Sequence, residues 1–207
     1  LQRDPDNRFL ARGPRFRLPA ESIRDNALAV SGLLSDRMGG PPVYPPQPPK
    51  IWRHIGRNAP TYETDTDENR FRRGLYVVWR RSAAYPSFVS FDAPDRASSC
   101  VKRSRTNTPL QALTLLNDPA YFEMAEAFGA HLAKAVPDGT DRDRVEYGFR
   151  RAVMRQPTSD EVQVLLRLYN NESERLAAEP SAVSKLVDSQ PSTDPEATQR
   201  AAWTLVA

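Results

Sequence analysis

Two residue types that often build reactive sites are scarce in this sequence: the 207 residues include one cysteine, Cys100, and two histidines. A single cysteine excludes an intrachain disulfide and any C-x-x-C-H haem-attachment motif. The histidines, His54 and His131, stand far apart, and no acidic residues are spaced to complete a ligand set, so we expect no metal site. Without a base nearby in sequence, Cys100 is expected to be an inert thiol.

Long apolar runs are missing as well. No stretch approaches the roughly 18 apolar residues of a membrane-spanning helix, so we expect no membrane span. Hydrophobic residues make up 39% of the chain, the mean hydropathy is −0.62, and there are 19 prolines. These values predict one or two domains in which loops and connectors take up much of the length.

Lysine is rare, with four lysines against 25 arginines, and the charge is unevenly distributed. Residues 1–105 carry a net charge of +8, whereas residues 106–207 carry −5. Arginine forks suit carboxylate, sulfate and phosphate groups, so the basic half could hold an anionic ligand. Internal pairing of these arginines with Asp and Glu is the favoured interpretation. Nucleic acid is a weak alternative, since no recognised motif occurs and the acidic half would oppose it.

The first predicted helix begins at Leu18-Pro19-Ala20-Glu21 and continues to about Met38 on an apolar face of three- and four-residue steps. Gly39-Gly40 is the predicted end, and the prolines that follow forbid continuation. Before this helix, the basic loop Arg12-Gly13-Pro14-Arg15-Phe16-Arg17 alternates arginine with an aromatic ring. It could hold an anionic or aromatic ligand, or it could serve as a surface arm.

Later helix starts are marked by capping residues, which are followed by proline at the first helical position or by an acidic residue three positions on. The predicted starts are Thr108-Pro109, Asp118-Pro119, Thr140, and Thr158 with Glu161. Leu110, Leu113 and Leu116 fall on one face of the helix that begins at Thr108-Pro109.

The strongest apolar signal lies at Leu75–Trp79, whose valines and aromatic residues favour a strand over a short buried helix. We predict that it is the most buried segment of the chain. Ser87–Phe91 is a second short apolar segment, so a short strand pair near residues 74–91 is an option. The predicted fold is otherwise mainly α-helical, with long proline-rich connectors.

The domain prediction divides the chain in two. Residues 1–155 form a helical domain that includes a proline-rich strap at residues 41–49. Residues 156–207 supply a C-terminal helix, a flexible Ser/Pro/Asp-rich linker at residues 180–198, and a truncated final helix.

Several separated motifs resemble the family called domain of unknown function 1553. The clearest is RTNTPLQALTLLNDPAYFEMAEAFGAHL, and the similarity continues in FRRGLYVVWRRS, in FVSFDAPDR and in the segment that begins DPDNRFLARGPRFRLPAES. It covers roughly residues 4–155. The resemblance implies a mainly helical fold, planctomycete-type relatives that often carry cytochrome c domains, and an extracytoplasmic or cell-surface location.

The same resemblance implies that the chain is a C-terminal fragment of a longer protein. Sibling domains are then its expected partners, and any haem would lie in upstream domains, with no cofactor within this chain. The resemblance carries over no catalytic residue, because an activity of the family is not established.

The candidate ligand-binding site lies before the helix start at Thr108, where free amides and the helix dipole favour an anion and arginines add to the attraction. The expected ligand is a carboxylate, sulfate or phosphate group, such as those of acidic or sulfated polysaccharides. In the competing interpretation, Asp92 or Asp95 simply neutralises the arginines. The primary candidates are Asp92, Asp95, Arg96, Arg103, Arg105 and Thr108, and the secondary candidates are Asn7, Arg8, Arg12 and Asn107.

Three functions stay open at this point. The favoured one is an accessory or interaction module that docks sibling domains, and the second is a binding module for an anionic ligand. The third is part of an enzyme, in which polar side chains line a cleft. The residues expected to line it are Asn7, Arg8, Arg12, Asp92, Asp95, Arg96, Arg105 and Asn107.

Overall fold

The computed structural model describes residues 4–10, 13, 16–54, 61–187 and 194–207. Within them the fold is mainly helical, as predicted. Every helix in this part of the chain is too short or too polar to cross a membrane. The α-helices are α1 (Ala20–Ser31), α2 (Pro86–Ser90), α3 (Pro109–Asn117), α4 (Pro119–Ala135), α5 (Asp141–Val153), α6 (Ser159–Ala178), α7 (Pro180–Leu186) and α8 (Pro195–Val206).

Two hydrophobic clusters form the core, and α4 contributes to both. The first cluster packs α4 against α1, α2 and the strap, with Leu28, Phe88 and Tyr121 among its buried side chains. The second packs α4 against α5 to α8 around Trp203, which is fully buried. Residues from both sides of position 155 share this second cluster. The division of the chain into two domains at that position stays a prediction.

Helix α1 is shorter than predicted and ends at Ser31 rather than near Met38. Gly32 adopts the left-handed conformation, with a φ of 80°, and its amide donates to the carbonyl of Ala29 at 3.2 Å. A left-handed glycine is a strong stop signal because its missing Cβ removes the steric penalty. Beyond the glycine, Leu33 and Leu34 still pack against the first cluster, but Met38 is 69% exposed.

The strand predicted at Leu75–Trp79 is not formed. Gly74–Tyr76 is a short 3₁₀ helix, and only Val77 pairs with the strap, through an isolated parallel bridge to Val43. The strap is rich in prolines, which have no amide to donate, so the pairing cannot extend into a ladder. The second segment of the predicted strand pair is helical, since it forms α2.

The expectation that Leu75–Trp79 is the most buried segment is also wrong. Val77 is buried, but Trp79 is only partly buried and Leu75 is 71% exposed. In α8, by contrast, all four residues from Ala201 to Thr204 are buried. A 3₁₀ turn points its side chains around the axis, so a short run of apolar residues there cannot face one side.

Buried arginines hold the strap in place. Arg72 is fully buried, donates to the carbonyls of Gly39 and Pro41, and lies 4.0 Å from the ring centroid of Tyr76. Arg24 is 1% exposed and donates to the carbonyl of Arg72 at 2.9 Å. Part of the arginine excess is therefore structural, although these guanidinium groups bind backbone carbonyls rather than the predicted carboxylates.

The helix starts predicted at Thr108, Asp118, Thr140 and Thr158 are confirmed. Asp118 caps α4 by accepting from the amide of Ala120 at 2.9 Å. Thr158 accepts from the Glu161 amide at 3.3 Å while the Glu161 carboxylate accepts from the Thr158 amide at 2.8 Å. Thr140 caps α5 in the same reciprocal way. At α3, the Thr108 amide donates to Gln111 at 3.3 Å.

The leucine face of α3 is exposed, with Leu110, Leu113 and Leu116 at 69%, 52% and 71% exposure. The helix instead packs inward through Gln111, which is 4% exposed and donates to the carbonyl of Ser90 at 3.0 Å. The buried side of α3 is therefore polar, which its apolar pattern does not predict.

The described parts of the linker predicted at residues 180–198 are largely helical, and that prediction is wrong for α7 and for the start of α8. Val183 in α7 is completely buried, which ties this segment to the core. The final helix begins at Pro195, within the predicted linker, and Asp194 caps it by accepting from the amide of Glu196. Residues 188–193 lie outside the described residues.

Candidate functional site

A cleft of about 770 Å³ opens between the segment that leads into α1 and the segment before α3. We call it the first cleft. Arg17 to Ala20 line one side, residues 101–105 line the other, and Phe91 and Asp92 at the end of α2 lie between them. Its lining therefore combines four cationic side chains with apolar groups.

Arg17 and Asp92 form an ion pair in this cleft. Asp92 adopts the left-handed conformation with a φ of 60°, and its carboxylate also accepts from the amide of Thr106 at 2.8 Å and from its hydroxyl at 2.9 Å. The Thr106 amide bond, with help from Arg17, lowers the pKa of Asp92 below its ordinary value. Asp92 thus joins both walls of the cleft as an ionised carboxylate.

Arg103 is paired with Glu21 in the first turn of α1, with a distance of 2.6 Å between Nη1 and Oε2. Burial of Glu21 opposes its ionisation, but the hydrogen bond from Arg103, a backbone hydrogen bond and the charges of Arg103 and Arg96 together outweigh it, so the pKa of Glu21 is lowered. This pair connects the segment before α3 to α1. It also neutralises one of the predicted site arginines.

Arg105 and Lys102 have no ion pair among the described residues. The guanidinium of Arg105 lies 4.6 Å from the ring centroid of Phe16. Stacking on a ring leaves the in-plane N–H donors of a guanidinium free for another partner. Four cations in the lining face two acids, Asp92 and Glu21, so the first cleft keeps an excess of two positive charges.

The helix N-terminus at this cleft is that of α1 and not, as predicted, that of α3. Pro19 occupies the N-cap position of α1 and has no side chain that accepts from the first-turn amides. Thr108, at the start of α3, is exposed but does not line the first cleft. The dipole of α1 therefore adds to the positive field of the cleft.

The structure brings three of the six primary candidates, Asp92, Arg103 and Arg105, into the first cleft. Arg96 instead lies 4.6 Å from the ring centroid of Trp79. Asp95 accepts from the amide of Ala97 at 2.9 Å in an exposed turn. That any of these residues binds a ligand stays a prediction.

The secondary candidates that the structure describes, Asn7, Arg8 and Asn107, do not line this cleft. The amide of Arg8 donates to Asp4 at 2.8 Å in a turn that also contains Asn7. Asn107 is exposed just before α3. Arg12 lies outside the described residues, so its position is not compared with the prediction.

Sequence reasoning missed Lys102 and the pairing roles of Arg17 and Glu21. The basic loop that ends at Phe16-Arg17 carried a signal, because it alternates cation and aromatic ring. The pairing itself could not be inferred, since Arg103 and Glu21 stand 82 positions apart.

Neither Cys100 nor His131 is among the described residues that line this cleft. Cys100 is exposed. His131 bonds through Nε2 to the hydroxyl of Tyr147 at 3.0 Å, and burial followed by the charge of Arg151 lowers its pKa. Within the described residues, no group of three or more His, Cys, Asp or Glu side chains could hold a metal ion.

The comparison with protein families covers most of the chain. Residues 1–169 match the family described as PSD1, protein of unknown function (DUF1553). The chain belongs to the DUF1553 family. No curated protein and no solved structure matches it. For this DUF1553 chain, the charge and shape of the first cleft are therefore the basis for assigning a function.

Proposed function

We propose that this DUF1553 chain is an accessory module that binds an anionic ligand in the first cleft. The proposed ligand is an acidic or sulfated polysaccharide, which presents carboxylate or sulfate groups. The observation that supports this function is the presence of Arg105 and Lys102 in the cleft lining without an ion pair among the described residues.

The chemistry of the cleft suits such a ligand. The free edge of the Arg105 guanidinium can donate two parallel hydrogen bonds to a carboxylate or sulfate. Leu18 and Val101 in the lining offer apolar contacts, and Val101 is fully exposed. A ligand with anionic groups on a partly apolar ring would use both kinds of surface.

The test is a titration with uronic-acid and sulfated oligosaccharides, followed by calorimetry or NMR, in low and high salt. We expect salt-sensitive binding that Arg105→Gln weakens about tenfold or more, as for a charged hydrogen bond of roughly 1.5–3 kcal/mol. Arg167→Gln is the matched control, because Arg167 is an exposed residue of α6 remote in sequence from the cleft. Equal affinities of the two variants, or no binding at millimolar ligand, would reject the function.

An extracytoplasmic or cell-surface location is part of the same proposal, because acidic polysaccharides are abundant there. Protease treatment of intact cells that express the complete gene product tests it. Accessibility of this module to the protease supports the location, and protection until lysis contradicts it. Sibling domains as partners, and haem in such domains, stay predictions.

A second candidate function is an interaction module that docks sibling domains, and the exposed leucines of α3 favour it. Leu110, Leu113 and Leu116 are apolar, and α3 contains no charged residue. Hydrogen exchange of α3 should slow when this chain is part of the complete gene product, if the face is covered there. Unchanged exchange in α3, with α6 as the reference helix, would reject this docking surface.

A further inference from the structure

A second basic cleft, of about 750 Å³, lies at the opposite end of α1. Arg151 in its lining donates to the carbonyls of Val30 and Ala29, at 2.6 and 3.1 Å, and so caps the end of α1. Arg155 pairs with Glu161 at 2.5 Å. Arg150, which also lines this second cleft, is exposed and has no ion pair among the described residues.

The charge of the second cleft resembles that of the first. Three arginines of its lining face one acidic partner, Glu161, which leaves an excess of two positive charges. The negative end of the α1 dipole lies here, but Arg151 satisfies carbonyls at that end. Among the described residues that line the second cleft, Arg150 is therefore the arginine with neither an ion pair nor a capping role, as Arg105 is in the first.

On the surface of α1 between the clefts, Asn26 and Ala29 are exposed and Ser22 is partly buried. Ser22, Asn26 and Ala29 follow one another at steps of four and three residues, which places them on one face of the helix. The acids of α1 point to other partners: Glu21 pairs with Arg103, and Asp25 accepts from Arg73 and from the Gly74 amide. Asp25 borders this face, three residues after Ser22 and four before Ala29, but its carboxylate is already neutralised by Arg73.

We propose that the ligand is a polyanionic saccharide chain that lies along α1 and occupies both clefts at once. This inference rests on the proposed function of the first cleft and extends it from one anionic group to a polymer. A helix of 12 residues is about 18 Å long, so the chain must span on the order of 18 Å. Once one end of the saccharide is bound, its other end meets the second cleft at a high effective concentration. The affinity of the whole saccharide is therefore higher than that of either end alone.

The experiment measures binding of a length series of oligogalacturonates to the intact chain by NMR and calorimetry. Oligomers too short to span about 18 Å should bind weakly through the first cleft, and the affinity should rise at least about tenfold once the span is reached. Arg150→Gln should remove this rise, whereas the binding of short oligomers to the first cleft should still depend on Arg105. Arg167→Gln should change neither, and circular dichroism should show all variants folded.

The outcomes separate this inference from the proposed function. In one outcome, short oligomers bind in a way that depends on Arg105, yet show no gain in affinity on lengthening or no effect of Arg150→Gln. That result would overturn the inference that one saccharide chain occupies both clefts and would leave the proposed function standing. No binding at any length, or binding indifferent to Arg105→Gln, would overturn both.

Single-stranded DNA of matched length serves as the competing polyanion. Arg105 lies over one face of the Phe16 ring and leaves less of it for a base to stack on, so we expect DNA to bind more weakly than the saccharide. Tighter binding of DNA would overturn the assignment to a saccharide.

Discussion

Arg17 and Asp92 are 75 positions apart in sequence, and their ion pair joins the segment before α1 to the residue after α2. The same carboxylate holds Thr106 on the other wall of the first cleft. One aspartate therefore fixes the relative positions of the two walls. Its left-handed backbone, with a φ of 60°, is a conformation that Asp and Asn tolerate better than other residues with a side chain.

The first prediction compares two replacements of Asp92. Asp92→Asn keeps an acceptor for Thr106 and suits the backbone, so we expect a loss of about 1 kcal/mol or less in the free energy of unfolding. It also releases Arg17, so the affinity of the first cleft for anions should rise. Asp92→Ala loses the Thr106 bonds and disfavours the positive φ, for a loss of about 1–3 kcal/mol. Urea unfolding of both variants measures this, and equal losses would contradict the role given to Thr106.

The second prediction compares two adjacent arginines. Arg72 is fully buried and donates to two carbonyls, so Arg72→Met should lose two charged hydrogen bonds and cost roughly 1.5–3 kcal/mol for each. The Arg73 side chain is 47% exposed, and its ion pair with Asp25 should contribute less than about 1 kcal/mol. Urea unfolding of Arg72→Met and Arg73→Met should therefore give clearly different midpoints. Similar midpoints would show that the strap does not depend on Arg72.

Local signals predicted the helix starts well. Asp118-Pro119 and the pair Thr158 and Glu161 act within three residues, so neighbouring sequence contains all the partners that they need. The end of α1 was predicted too late because the apolar periodicity was followed past Gly32. At that point a left-handed glycine outweighed the pattern.

The first cleft could be predicted only in part. The sequence drew attention to Arg103 and Arg105, but their difference depends on distant partners: Glu21 neutralises one, and Phe16 stacks on the other. The strand prediction at Leu75–Trp79 failed for a similar reason. A strand needs a partner that can donate hydrogen bonds, and the proline-rich strap that lies beside this segment cannot supply a ladder.

The third prediction concerns acid stability at the start of α6. Hydrogen bonds from Arg155, followed by the Thr158 amide, lower the pKa of Glu161 from 4.5 to about 2. A lowered folded-state pKa means that the stabilisation is complete above about pH 4.5 and is lost as the pH falls towards 2. Glu161→Gln should therefore lose stability at neutral pH and show a shallower decline over this range.

The control for the acid prediction is Glu174→Gln, which removes the same charge from an exposed position of α6. Urea unfolding at a series of pH values gives the slope for each variant. Equal slopes for Glu161→Gln and Glu174→Gln would show that the hydrogen bonds of Glu161 at the start of α6 do not govern the loss of stability over this pH range.

The last prediction concerns the contact of α4 with α8. A Cβ atom on Gly129 would lie 2.7 Å from the amide nitrogen of Thr204 and 2.9 Å from the carbonyl carbon of Trp203. Alanine favours a helix by about 1 kcal/mol over glycine, but these contacts are with backbone, which cannot rotate away. Gly129→Ala should therefore force the helices apart and destabilise the chain by about 1–3 kcal/mol.

Thermal and urea unfolding of Gly129→Ala measure the loss, and Gly13→Ala is the control because a Cβ at Gly13 meets nothing within 4 Å. Hydrogen exchange should locate the damage in α8, whose Ala201, Ala202 and Trp203 are completely buried against the core. A stable Gly129→Ala variant, with α8 protected as in the unmodified chain, would contradict this close packing. Because α4 contributes to both core clusters, a shift of its contact with α8 should also weaken the packing on α1.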